Sequence, residues 1–132
     1  MAQTLAESVE ALRLSWEAGD LERLASHWAD NIDFSDYLTC STHLNKAEAT
    51  ELFRAMIPLT SDVKMVTKSL HGTTERAFWM AELSFTAMAD FPGAPYKKGE
   101  RAVTIGVSVL EFNKEGKITM EADHYNWERP VM

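Results

Sequence analysis

Residues 101–127, RAVTIGVSVLEFNKEGKITMEADHYNW, decide the fold. From Arg101 to Phe112 the apolar residues Val103, Ile105, Val107 and Val109 recur every second position, the period of a strand. Asn113-Lys114-Glu115-Gly116 is a hairpin turn, and Lys117 to Trp127 reads as the returning strand. So short a connection pairs the two antiparallel. Toward the N-terminus, Phe91 to Gly99 (FPGAPYKKG) is a loop. Glu75 to Asp90 is a long strand, apolar on both faces: Phe78 and Met80 on one, Trp79, Leu83 and Phe85 on the other. Val63 to His71 is a further strand, so residues 61–127 form four antiparallel strands.

The first half has a helical period. Leu5, Val9, Leu12 and Trp16 fall on one face, and Gly19 ends that helix as a C-cap glycine. Asp20 caps a second helix with Leu21, Leu24, Ala25 and Trp28 as its buried stripe, so residues 3–29 hold two helices. Ile32, Phe34 and Asp36 form the apolar side of a short strand, where the aspartate is out of place. Asn45 and Glu48 have capping-box spacing ahead of Ala49, Leu52, Phe53, Met56 and Ile57; this third helix covers 45–57 and Pro58 stops it. The order is α-α-β-α-β-β-β-β. It predicts one α+β domain over residues 1–132: three N-terminal helices packed on a strongly curved, mostly antiparallel sheet. A long sheet twists and curls, leaving a cone with an interior. Strands apolar on both faces predict a second layer outside, a homodimer through the outer sheet face.

Composition narrows the partners. The formal net charge is -7 and the thirteen basic residues are scattered, which argues against nucleic acid and anionic membranes. Cys40 is the only cysteine, so no intrachain disulfide forms. The first twenty residues carry Glu7, Glu10, Glu17 and Asp20, unlike a secretory leader, and no stretch approaches a membrane span. The expectation is a cytoplasmic protein. No Gly-rich phosphate loop, paired-cysteine motif, His-Glu-x-x-His or Gly-x-Ser-x-Gly is present, so no cofactor or metal is expected.

What remains is polar groups on apolar strands. Asp36 is a candidate base, since burial raises a carboxyl pKa toward neutrality; its plainer role is to tie the loop from Tyr37 to Ser41. Glu82 shares a face with Phe78 and Met80, as a pocket acid or as a residue of a solvent or subunit face. Asp123 and His124 are neighbours on the last strand and point to opposite faces. Met120, Ala122, His124 and Asn126 share one face; Glu121, Asp123, Tyr125 and Trp127 share the other. Hydrophobicity slightly favours the first set as inward. Trp16, Trp28, Phe34, Phe78, Met80 and Tyr125 are core residues or the lining of a site for an apolar molecule.

WEAGDLERLASHWADNIDFSD (residues 16–36) and FNKEGKITMEADHYNW (residues 112–127) resemble the NTF2-like superfamily, in its SnoaL-like branch of small polyketide cyclases, isomerases and dehydratases. The resemblance implies a curved sheet wrapped by three helices, open at one end to a pocket and commonly dimeric through the outer sheet face. Compared with ketosteroid isomerase, Asp36 stands where the general base stands, while Leu12 replaces the oxyanion tyrosine. Compared with limonene epoxide hydrolase, ITMEAD puts Asp123 on a catalytic aspartate, Glu82 resembles its partner acid, and Met80 replaces the arginine between them. The resemblance thus implies that Asp123 faces inward, against the hydrophobicity vote. The implied activity is cofactor-independent isomerisation, cyclisation or dehydration of an apolar polyketide-, terpenoid- or steroid-like molecule. Asp36 is the base, Asp123 or His124 the acid, and Glu82 or Tyr125 the support. Epoxide hydrolysis by Asp123 and Glu82 is the alternative, and a non-catalytic ligand-binding or dimerisation module another.

Overall fold

The computed structural model describes residues 3–91 and 93–129. Helix α1 (Leu5–Ala18) opens on a capping box in which Thr4 and Glu7 bond each other's backbone amides. It closes on Gly19 at φ 62°, a left-handed turn that a glycine adopts without strain. Asp20 caps the short α2 (Leu21–Ala25). Strand β1 (Trp28–Asp36) leads through a tight loop to β2 (Ser41–Leu44). Asn45 and Glu48 form a second capping box ahead of α3 (Lys46–Met56), which ends in a 3₁₀ turn carrying Pro58. Strands β3 (Thr60–Gly72), β4 (Ala77–Ala87), β5 (Arg101–Phe112) and β6 (Ile118–Trp127) follow.

The α+β assignment, the three helices and the four antiparallel strands of the second half agree with the sequence reading. Three features differ. Trp28 does not lie on the second helix; it begins β1, because the Ile118 amide bonds the His27 carbonyl and draws the chain into parallel pairing with β6. Strand β2 was not foreseen, its four residues being partly or fully exposed and therefore without apolar alternation. Most importantly, the strongly curved cone does not form. The six strands lie in the order β2-β1-β6-β5-β4-β3 as an open sheet, neither closed nor strongly curled, with β2 and β3 as its edges. Strand twist does not oblige a sheet to close: here helices remove the buried face from water, so closure is not needed for that purpose.

That buried face carries the core. Val9 and Leu12 of α1, Leu24, Phe53 of α3, and Trp28, Phe34, Trp79, Leu110 and Ile118 of the sheet are all nearly inaccessible to solvent. Trp28, Phe34 and Phe53 pack ring on ring with centroids 5.4–5.7 Å apart. The sheet is mixed, because β1 runs parallel to β6 while the other pairs are antiparallel. This single parallel pairing sets the site: it brings Phe34 beside Glu121 and Asp36 beside Asp123. Gly106 on β5 lies so close to β6 that an added Cβ would meet the His124 carbonyl oxygen at 2.1 Å, so only glycine permits this approach.

Candidate active site

Alternation along β6 turns Glu121, Asp123 and Tyr125 toward the helices, and all three are buried. The first two are only 1% and 5% exposed. Asp36, at the end of β1, is 7% exposed, which makes three buried carboxyls on two neighbouring strands. A narrow cavity of about 50 Å³ lies against Asp36, Ser108, Asp123 and Tyr125. It shares Trp16, Leu38, Met56, Leu83 and Thr104 with a wider apolar chamber of about 250 Å³. Phe53, Phe85, Phe91 and Trp127 complete the aromatic wall of that chamber. The result is an apolar vestibule ending on acids.

Each acid has its own surroundings. Asp36 accepts hydrogen bonds from the Leu38 amide at 3.0 Å and the Thr39 hydroxyl at 3.0 Å. Burial pushes its pKa up, and these donors act against that rise. Asp123 accepts from the Ser108 hydroxyl at 2.7 Å, yet burial, and then the charge of Glu121, drive its pKa well above the ordinary carboxylate range. Glu121 accepts from the Trp28 indole N–H at 3.2 Å. Burial is again the largest influence, and its pKa is raised to about 7. The Tyr125 hydroxyl is buried without a hydrogen-bond partner among the described residues. Burial and the nearby Asp123 push its ionisation upward, so it remains a neutral donor. An orphaned hydroxyl inside a protein is costly, and a ligand acceptor would relieve it.

The sequence-derived candidates separate into two groups. Asp36 and Asp123 meet at the cavity, and Trp16 and Tyr125 line it. Trp28 and Phe34 lie behind it, in the core. The remaining four candidates are on the other side of the sheet. Glu82 faces out, 3.8 Å from Lys68. Phe78 and Met80 are 46% and 37% exposed on the same face. His124 also faces out, stacked on Tyr37 at 4.5 Å. Strand alternation explains the division: Asp123 and His124 cannot share a face without a bulge, and β6 has none between them. The hydrophobicity vote for His124 as the inward residue is therefore overturned. Sequence reasoning did not single out Glu121, although its spacing of two from Asp123 placed it on the same face. It gave no signal for Ser108, which was one small polar residue among many. Among the described residues no group of three His, Cys, Asp or Glu is arranged to hold a metal ion.

Comparison with solved structures places the fold. AclR from Streptomyces galilaeus, a candidate hydroxylase, superposes with TM-score 0.77 at 20% identity, over 92% of this chain and 77% of its own. A candidate polyketide cyclase from Pseudomonas putida gives 0.75 at 19% identity, over 95% and 93% of the two chains. IdmH from Streptomyces antibioticus, likewise a candidate polyketide cyclase, gives 0.75 at 13%, over 92% and 91%. No curated protein matches the sequence. The family model of the SnoaL-like domain matches residues 9–121, most of the chain, and together with the shared architecture this shows that the protein belongs to the SnoaL-like family, within the NTF2-like superfamily.

Proposed function

We propose that the protein is a cofactor-independent isomerase, cyclase or dehydratase acting on a small apolar carbonyl compound. One observation carries the reading: Asp36 and Asp123 lie side by side against an apolar cavity, each with its own hydrogen-bond donors. Asp36, with two donors, is the base; Asp123, repelled by a neighbouring carboxyl, is the acid. Paired acids held apart in this way are what proton transfer requires. Likeness to candidate polyketide cyclases supports the same direction through the fold alone.

The chemistry follows from position. The Asp36 carboxylate removes a proton from the carbon next to the substrate carbonyl. Negative charge passes to the carbonyl oxygen, where the Tyr125 hydroxyl and the Asp123 carboxylic acid donate hydrogen bonds. The proton on Asp36 returns to a different carbon in an isomerisation. In a cyclisation, the enolate carbon attacks a second carbonyl and its oxygen takes the Asp123 proton. In a dehydration, that proton leaves with the hydroxyl as water. Leu12, in the core, cannot supply the oxyanion donor, and Tyr125 on β6 takes that part. The two chambers together sit at the lower end of the roughly 300–1,000 Å³ typical of small-molecule sites. A substrate of one or two rings fits better than a large polycycle.

The epoxide hydrolase alternative loses its geometry, since Glu82 and Asp123 lie on opposite faces and cannot act on one molecule. The outer face bears Val66, Phe78 and Met80, each more than one-third exposed, beside the strand valines of β5. We propose that a second copy of the chain covers it, as the sequence led us to expect. The functional reading is tested with a panel of small cyclic enones and 1,3-dicarbonyls in deuterated, ¹⁸O-labelled water. Deuterium gained at carbon without ¹⁸O supports isomerisation or cyclisation; ¹⁸O alone supports hydrolysis and defeats the proposal.

A further inference from the structure

Glu121 has no part in the chemistry just described, yet it is the most deeply buried acid of the protein. It is 1% exposed in a wall of Trp28, Phe34 and Leu110. An isolated ionised carboxylate there would be expensive, and glutamate is rarely buried without a partner. No lysine or arginine supplies one. The charges acting on Glu121 and Asp123 are each other's and that of Asp36. The cations of the helices facing the sheet serve elsewhere. Arg13 on α1 is tied to Glu10, Glu17 and the Met65 carbonyl. Lys46 on α3 bonds the Trp28 carbonyl at 3.1 Å and lies within 3.4 Å of Asp30.

The partner of Glu121 is therefore Asp123. Residues two apart on a strand share a face, and both carboxyls are buried there, 1% and 5% exposed. Two carboxylates side by side in so dry a place repel each other; a carboxylic acid beside a carboxylate does not. The surrounding donors fix the direction. The Trp28 indole N–H, rigid in the core, can only donate, and it favours charge on Glu121. The Ser108 hydroxyl beside Asp123 can rotate, and so tolerates either form. The proton consequently belongs on Asp123.

We propose that Glu121 and Asp123 hold one proton between them near neutral pH, and that Glu121 is the positioning residue that keeps Asp123 a carboxylic acid at the cavity floor. The proposal rests on the reading of Asp123 as the acid only for its catalytic consequence; the proton sharing itself stands on the geometry. The pair sits in low dielectric, where a second charge is strongly opposed. Its two titrations are a property of the pair.

The test is a ¹³C NMR titration of the full-length protein labelled at the Asp and Glu carboxyl carbons, without ligand. In the wild type, Glu121 and Asp123 should titrate as one coupled system above the ordinary carboxylate range. Glu121→Gln keeps the shape and the indole acceptor but removes the charge, so the Asp123 step should fall by more than about one pH unit. Trp28→Phe removes the donor that favours charged Glu121, so the lower step of the pair should rise. A merely structural glutamate gives no such opposite pair of shifts. An Asp123 curve unchanged in Glu121→Gln overturns the proposal, as does ordinary independent titration of both acids in the wild type. If the glutamine variant does not fold, Trp28→Phe decides: a lower step that stays put or falls overturns the proposal. Turnover of Asp36→Asn and Asp123→Asn tests the functional reading separately, so the two ideas fail independently.

Discussion

Each face of the sheet carries residues that run against its character. The face packed under the helices holds Asp36, Glu121, Asp123 and an orphaned tyrosine hydroxyl. The face turned outward shows Val66, Phe78 and Met80. Burial alone would have arranged these the other way. The inner acids cost stability, which a protein retains when the groups have work to do. The outer apolar residues are unpaid surface unless another chain covers them. The comparison therefore teaches that the face a strand presents is set by register and by what neighbouring elements cover, and that hydrophobicity can point the wrong way at a site.

The largest effect that would break this contrast is on the inner face. Asp36→Asn and Asp123→Asn should each lower turnover by about 10² or more, with far-ultraviolet circular dichroism unchanged. A loss below about threefold in both would detach the acids from the chemistry. On the outer face, Phe78→Glu should turn a dimer into a monomer by light scattering while leaving the ligand-free fold intact. An unaltered mass would move the interface elsewhere.

A pH series sharpens the inner half. Glu121 has a folded-state pKa raised from the ordinary 4.5 to about 7. The folded protein therefore binds this proton more tightly than the unfolded chain. The associated stability is complete below about pH 4.5 and is lost as pH rises through about 7. The melting temperature should fall across that window, by an amount corresponding to a few kcal/mol at most. Glu121→Gln should flatten the fall, and a wild-type curve that rises there would contradict the burial argument. The smallest effects belong to the outward polar residues. Glu82→Gln should change stability by less than about 1 kcal/mol, since its pairing with Lys68 at 3.8 Å is exposed. His124→Ala should leave the chemical step within about threefold, because the imidazole stacks on Tyr37 outside the cavity. The sequence alone made it a rival to Asp123; kinetics on the two variants would settle which face reacts.

Much of the fold was legible because its signals are local. The capping pairs Thr4–Glu7 and Asn45–Glu48 mark helix starts by short-range hydrogen bonds, although only the second was noticed in the sequence. Alternating valines and a four-residue turn defined β5 and β6 within a few residues. What was hidden is non-local. Trp28 fits a helical stripe by spacing, and only its pairing with Ile118, ninety positions on, makes it a strand residue. The openness of the sheet depends on how helices cover it, which no strand's own sequence states. Asp36 was recognisable because an acid interrupted an apolar face. Glu121 escaped because its face, with Asp123 and Tyr125, looked polar enough to meet water. Resemblance to known relatives corrected the inward assignment of Asp123 where alternation could not.

The most direct test of the account is hydrogen exchange at substrate carbon. With a cyclic enone or 1,3-dicarbonyl found to bind by thermal shift, the wild-type protein in deuterated water should catalyse deuterium incorporation next to the carbonyl, followed by mass spectrometry. Asp36→Asn should abolish that incorporation while retaining binding. Incorporation at the wild-type rate in Asp36→Asn would contradict the account, because the proton would then be leaving through some other group.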